Sequence, residues 1–274
     1  MILFPNCKIN LGLQILSRRP DGYHDIATVM VPVDWTDVLE IVPAQCGQPT
    51  RLHTSGRPVE CPPEKNLVMK AWRRVKERFP QMPEADIYLH KVIPDGAGLG
   101  GGSADAAFTI RGLNEVFRLG MTDGEMAEEA AEVGMDCPFF IYNRPMVCTG
   151  RGEIMEEVDV NLDGLAIVIA KPGDGVSTAA AYSGVKPALP AESVLELISL
   201  PVRRWQGALV NDFERSIFPQ CPHIEALKEQ MLSLGAVYAS MSGSGSSVYG
   251  IFDCDKLADD AVTALAGFTA KRVK

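Results

Sequence analysis

The sequence predicts an α+β fold, and three observations carry that expectation. Strand and helix patterns mix along the 274 residues without the regular alternation that marks a parallel α/β sheet. No internal repeat or long linker separates them. A dense glycine run, "VIPDGAGLGGGSADAA" at 92–107, falls between a strand pattern and a helix pattern rather than inside a polar low-complexity segment. The length suits one large domain or two ordinary ones. The pattern change near residue 155 predicts a division into 1–155 and 156–274.

The elements follow in order. "KINLGLQIL" (8–16) alternates in polarity and reads as a strand, and "SRRPDGYH" (17–24) is turn chemistry. "IATVMVPV" (26–33) and "DVLEIV" (37–42) are extended runs. "QCGQPTRLHTSGRPVECPPEK" (45–65), rich in Pro, Gly and Thr, predicts a hairpin plus a loop. Leu67, Ala71, Val75 and Phe79 recur at helical spacing before Pro80. "ADIYLHKVI" (85–93) alternates as a strand does. Beyond the glycines, Ala106, Ile110, Leu113 and Phe117 define an amphipathic helix from about Ser103 to Gly120. "TDGE" (122–125) has capping-box spacing and opens a helix through Val133. "GMDCPFF" (134–140) breaks the pattern. Strands are expected around 146–158 and 165–171, and helices near 192–200 and 222–234. "AVYASMSGSGSSVYGIF" (236–252) reads as strand, glycine-serine loop, strand. A last helix near 256–267 precedes a short terminal strand.

Composition narrows the function. A formal net charge of −9 makes the chain a poor non-specific binder of nucleic acid or of an anionic membrane. The longest apolar run, Leu165–Ala170, is far too short to span a bilayer, and the N-terminus lacks the charged start of a signal peptide. Seven scattered cysteines with no C-x-x-C pair fit a reduced, cytoplasmic chain better than a disulfide framework or a zinc site.

The glycine run has a chemical reading. Strand, glycine loop and helix together present bare backbone N–H groups and a helix N-terminus to an anion. Side chains would hold a phosphate away. Three known phosphate loops do not fit. Gly102 stands where the Walker A lysine would precede Ser103. The string Gly96-x-Gly98-x-x-Gly101 matches a dinucleotide fingerprint, but Asp123 lies between two helical patterns instead of ending a second strand. A protein-kinase glycine loop leads into a strand, and here a helix follows.

The stretch resembles the second motif of the GHMP kinases, the family of galactokinase, homoserine kinase and mevalonate kinase. Pro94, Gly96, Gly98, Leu99, Gly100 and then Gly101, Gly102, Ser103, Ala104 follow that pattern, and the extra glycine before Ser103 is typical of one branch. "PNCKINLGL" (5–13) is similar to that branch's first motif, and "RPDGYHDI" (19–26) to its D-G-Y-H element. "GMDCPFF" is similar to its G-A-D-V-P-F-F, and "MSGSGSSVYGIF" (241–252) to the third motif of the family. The order and spacing agree over nearly the whole chain.

The resemblance implies a two-lobed GHMP kinase fold, with a left-handed β-α-β phosphate-loop element in the N-terminal lobe and a ferredoxin-like C-terminal lobe. It implies transfer of the γ-phosphoryl of ATP, with Mg²⁺, to the 2-hydroxyl of a cytidine-diphosphate-linked methylerythritol in the non-mevalonate isoprenoid route. Asp136 falls on the catalytic base and Lys8 on the lysine that assists it. A lysine in an apolar strand is costly to bury unpaired, and Asp136 is its expected partner. Asn10, two residues along the same strand face, falls on a substrate contact. Tyr23 and His24 fall on the cytidine site. Thr178 and Tyr182 fall on the substrate segment, where Asp174 departs from the pattern. Tyr182 is placed to stack on the cytosine opposite Tyr23. Pro94, Asp95, Gly96, Ala97, Gly98, Leu99, Gly100, Gly101, Gly102, Ser103 and Ala104 wrap the nucleotide phosphates, with Ser103 a candidate Mg²⁺ ligand. Lys91 and Asn66 lie near adenine and ribose. Gly243, Ser244 and Gly245 support the phosphate loop. The implied protein is a monomer or weak homodimer. Rival readings are a family kinase acting on homoserine, mevalonate or a sugar, a dinucleotide-dependent oxidoreductase, and a ligand sensor without turnover.

Overall fold

The computed structural model of the chain describes residues 1–59, 61–173 and 175–273. Two compact units interleave along it. The first takes Met1–Cys7, Trp35–Asp95 and Gly100–Arg144. The second takes Lys8–Asp34, Gly96–Leu99 and the chain from Pro145 onward.

The sheet of the first unit runs β1 (Ile2–Leu3), β4 (Val38–Pro43), β6 (Ala85–Lys91), β5 (Arg51–Gly56). β4 and β6 are antiparallel, whereas β5 lies parallel to β6. Residues 45–65 therefore do not form the expected hairpin. The chain leaves β5, forms α1 (Leu67–Arg78) and returns beside β5 as β6, a β-α-β crossover. An isolated alternating strand such as "RLHTSG" carries no signal of which neighbour it pairs with or in which direction. α1 buries Val68, Ala71 and Val75, and the Asn66 Oδ1 caps it by accepting from Val68 N at 2.9 Å.

α2 (Gly101–Phe117) begins two residues before the expected Ser103 and buries Ala104, Ala107, Ile110 and Leu113. Gly112 lets it approach the sheet closely, since a β-carbon there would meet Ile41 Cδ1 at 2.7 Å and Leu3 Cδ1 at 2.8 Å. α3 (Asp123–Ala131) opens with the expected Thr122–Glu125 capping box. The break expected at 134–140 holds only for its first residues, because α4 (Cys137–Tyr142) starts there with Pro138 in its first turn.

The second unit holds two sheets. One runs β2 (Asn6–Arg18), β3 (His24–Thr36), β7 (Met146–Gly150), β8 (Ile154–Glu157). From Asn6 to Ile15 every residue of β2 is buried, so its polar members Asn6, Lys8, Asn10 and Gln14 need internal partners. The other runs β10 (Tyr238–Met241), β11 (Val248–Phe252), β9 (Ala166–Lys171), β12 (Thr269–Val273), antiparallel throughout. With α8 (Pro222–Ser233) between β9 and β10, and α9 (Asp255–Ala264) between β11 and β12, the order is β-α-β-β-α-β. This is the ferredoxin-like arrangement expected. Its core gathers Val168, Ala170, Leu227, Met231, Val248 and Phe252. Three short helices, α5 (Thr178–Ser183), α6 (Val194–Ile198) and α7 (Glu214–Ile217), complete the unit. Among the described residues, no helix is long and apolar enough to cross a membrane.

Candidate active site

In the first unit the site is built around the start of α2. Gly100, at φ +71°, takes the N-cap position and makes no side-chain cap. The first-turn N–H groups of a 17-residue helix are thus left for an anion. The glycines also allow close packing beneath the turn. A β-carbon on Gly101 would stand 2.9 Å from Ile93 Cγ2 and 3.5 Å from Lys91 Nζ.

Lys91 itself is buried and bridges two carboxylates, Asp37 and, at 2.6 Å, Asp105. Asp37 also accepts from Val92 N and, at 2.8 Å, from Ile93 N. Burial alone would lower the Lys91 pKa, but Asp105 and Asp37 outweigh it and hold the amine above its usual range. Burial, opposed by Lys91 and reinforced by Asp37, pushes the Asp105 carboxyl up to about 8. Its Oδ1 has no hydrogen-bond partner among the described residues. Lys91 and Asn66 therefore both have structural work: one ties β6 to α2, the other caps α1. Pro94 and Ala104 are buried, and Asp95 is exposed.

Asp136 stands at the N-cap of α4 with φ −84° and ψ −10°, yet its side chain makes no capping bond. Its carboxylate is half-buried. Burial pushes the neighbouring Cys137 thiol up to about 12. The Ser103 hydroxyl opposes that shift by hydrogen bonding, and the Asp136 charge adds to it. The first turn of α2 and the start of α4 are brought together here.

In the second unit Gly96 (φ +58°) and Gly98 (φ +71°) shape the loop. A β-carbon on Gly96 meets nothing within 4 Å, whereas one on Gly98 would overlap the Ser242 carbonyl oxygen. Gly98 O accepts from Lys8 Nζ and from Ser242 Oγ, both at 2.9 Å. Ala97 O accepts from Ser247 N at 3.1 Å, and Leu99 O from Lys8 N at 3.0 Å. The loop is thus held at three successive carbonyls. Lys8 Nζ also donates to Asn10 Oδ1 at 2.5 Å, and Asn10 Nδ2 donates to Thr28 Oγ1 at 3.0 Å. Lys8 and Asn10 share one side of β2, as period-2 spacing requires.

Two of the residues expected at the substrate lie against each other. His24 stacks on Tyr182, with centroids 4.8 Å apart and planes at 18°. Burial, then Arg18, lowers the His24 pKa, so the ring favours its neutral form. Tyr23 is 51% exposed, with the Arg151 guanidinium 5.3 Å from its ring centre. Thr178 Oγ1 lies 3.2 Å from Ser244 Oγ. Asp174 lies outside the described residues. Asn211, Phe213 and Arg151 make contacts in this region and belong to no motif read from the sequence, whereas Ser242 lies inside the third one.

Comparison with known proteins supplies a family. Residues 66–144 match the GHMP kinases N-terminal domain, and residues 195–270 match the GHMP kinases C-terminal domain. A 4-diphosphocytidyl-2-C-methyl-D-erythritol kinase of Bacteroides fragilis is 51% identical over 253 residues, covering 92% of each chain. That of Parabacteroides distasonis is 49% identical over 253 residues, again covering 92% of each chain. A crystal structure of 4-(cytidine 5'-diphospho)-2C-methyl-D-erythritol kinase superposes with a TM-score of 0.84 at 30% identity, covering 100% of this chain and 98% of that one. A homoserine kinase from Cytophaga hutchinsonii shares the fold, with a TM-score of 0.73 at 18% identity over 98% of this chain and 94% of that one.

The chain belongs to the GHMP kinase family. Within that family, its place is among the 4-diphosphocytidyl-2-C-methyl-D-erythritol kinases.

Proposed function

We propose that the chain transfers the γ-phosphoryl of ATP to the 2-hydroxyl of 4-diphosphocytidyl-2-C-methyl-D-erythritol, a step of the non-mevalonate route to isoprenoids. The observation that carries this reading is the glycine cradle at 96–103, in a chain about half identical to kinases of that name. The acceptor oxygen attacks the γ-phosphorus, its proton passes to the Asp136 carboxylate, the bond to the bridging oxygen breaks and ADP leaves. A carboxylate not used in capping is free for that proton. Lys8 adds positive charge and fixes the Gly98 carbonyl of the loop.

Each part suits nucleotide phosphates: in the first unit the uncapped N–H groups at the start of α2, and in the second the positive-φ glycines with an open position at Gly96. Among the described residues, no group of three or more His, Cys, Asp or Glu could hold a metal ion alone. That fits Mg²⁺ held mainly by the nucleotide phosphates, with the Ser103 hydroxyl beside it. When bound, the ion would neutralise phosphate charge. The remaining loop residues, Pro94, Asp95, Ala97, Leu99, Gly101, Gly102 and Ala104, shape the cradle. Lys91 and Asn66 flank the nucleoside.

His24 and Tyr182 offer a stacking surface for cytosine, Tyr23 a second ring, and Asn10 and Thr178 polar contacts to the acceptor. We further propose that residues 1–155 form the ATP-binding domain and 156–274 the C-terminal domain. The enzyme acts in the cytoplasm as a monomer or weak homodimer.

The test is ADP release with Mg²⁺-ATP, comparing the cytidine substrate with homoserine, mevalonate and galactose. ADP formed with the cytidine substrate alone is expected. Turnover of another alcohol in its place would overturn the assignment.

A further inference from the structure

The four residues Asn211–Asp212–Phe213–Glu214 carry an unusual load of side-chain contacts. Asn211 is 1% exposed and uses its whole carboxamide. Its Nδ2 donates to Met241 O at 2.7 Å and to Gly243 O at 2.8 Å, while its Oδ1 accepts from Phe213 N at 3.0 Å. The two carbonyls flank Ser242, the residue whose hydroxyl holds Gly98 O. Glu214 Oε1 accepts from Met241 N at 2.8 Å and from Ser240 Oγ at 3.0 Å. Asp212 Oδ2 accepts from Ile15 N at 2.9 Å. Phe213 sets its ring at 88° to Tyr182, 4.8 Å between centroids, so that Tyr182 is braced between Phe213 and His24.

We infer that Asn211 and Phe213 are positioning residues with separate targets. Asn211 sets the loop 241–243 and, through Ser242, the phosphate loop. Phe213 sets Tyr182 and, through it, the surface that receives the acceptor's base. The contacts themselves suggest the division. Among the described residues, the Asn211 side chain bonds to backbone of the third-motif loop and of its own turn. Phe213 is the ring that meets the edge of the Tyr182 stack. Neither residue touches a reacting atom. The inference rests on the reading that 96–103 holds ATP and that His24 and Tyr182 receive cytosine.

The test is steady-state kinetics of the full chain with each substrate varied in turn, for Asn211→Asp, Ser242→Ala, Phe213→Leu and His24→Ala, with thermal denaturation run alongside. Asn211→Asp replaces a double donor with a carboxylate facing two carbonyls, and Ser242→Ala breaks the link to Gly98 by a milder change. Both should raise KM for ATP about tenfold; Asn211→Asp should leave KM for the acceptor within about twofold, and Ser242→Ala, which also removes the oxygen that accepts from Asn10 N at 3.3 Å, should raise it less than that for ATP. Phe213→Leu should raise KM for the acceptor about 3- to 10-fold and leave that for ATP within about twofold. A parallel rise of both constants in these variants, or a fall in Tm with neither constant split, would overturn the inference. His24→Ala separates the underlying reading from it. If His24→Ala raises the acceptor KM but Phe213→Leu does not, the positioning role fails and the base site stands. If His24→Ala leaves the acceptor KM unchanged, the base site fails and the Phe213 role falls with it.

Discussion

Gly98→Ala should disable the phosphate loop from within, and its cost can be worked from the backbone. Gly98 sits at φ +71°, where any L-residue with a β-carbon loses about 1–2 kcal/mol. Gly96, at φ +58°, carries the same penalty and nothing more, because a methyl there meets no atom within 4 Å. At Gly98 the methyl would overlap the Ser242 carbonyl oxygen and reach within 3.0 Å of its carbon and 3.1 Å of Gly245 N. These are backbone atoms and cannot swing aside. Relief requires the loop to move by about an ångström or more, which breaks the bonds from Lys8 Nζ and Ser242 Oγ to Gly98 O. Losing one charged and one neutral hydrogen bond costs about 2–4 kcal/mol more. Gly98→Ala should therefore lose about 3–6 kcal/mol and Gly96→Ala about 1–2 kcal/mol without nucleotide. At about 2–4 °C per kcal/mol, the two Tm values should separate by several degrees. The assay is differential scanning calorimetry of both apo variants, followed by ADP release against ATP concentration. Equal Tm losses would refute the claim that Gly98 is held against Ser242.

Four further outcomes follow from the site. Asp136→Ala should cut turnover by about 10²–10⁴-fold while equilibrium ATP binding survives, and equal loss of both would assign Asp136 a structural role instead. Tyr23→Ala should weaken the acceptor's KM more than that of ATP, and an unchanged acceptor KM would remove Tyr23 from the base site. Asp105 has a folded pKa of about 8, above its ordinary value, so its contribution to stability is complete below about pH 4 and lost as pH rises towards 8. Urea unfolding should accordingly show wild-type stability falling across that window and Asp105→Asn falling less. Equal slopes would refute this. Iodoacetamide at pH 8 should label exposed Cys46 and Cys254 in the native protein and leave Cys137, buried with its thiol pushed up to about 12, intact by mass spectrometry.

Much of this was legible in the sequence where local rules act. Period-2 spacing put Lys8 and Asn10 on one side of β2, and the capping box located the start of α3 to the residue. The ferredoxin-like order followed from a family pattern that the ladders bear out. What failed to show depends on distant partners. β5 has no local mark of its parallel pairing with β6. α4 is one turn and a half behind a Gly-Met-Asp turn, too short to establish a 3.6-residue period. Asn211 matches no motif, and its meaning lies in carbonyls about 30 residues further on. The pairing of Lys91 with Asp37 spans more than 50 residues, so the sequence shows a strand lysine and the fold shows a bridged one.

The interleaving of the two units has a consequence for synthesis. The first unit has all its segments once Arg144 has been made. The second holds residues 8–34, made well ahead of its largest segment, Pro145–Lys274. At about 5–20 residues per second, those early strands wait on the order of ten seconds for the partners that will cover them. Leu11, Leu13, Ile15, Val29 and Val31 are all buried in the finished protein. During translation they stand in the nascent chain ahead of the segments that bury them, so the ribosome-bound intermediate is the stage at which this chain most needs protection from aggregation.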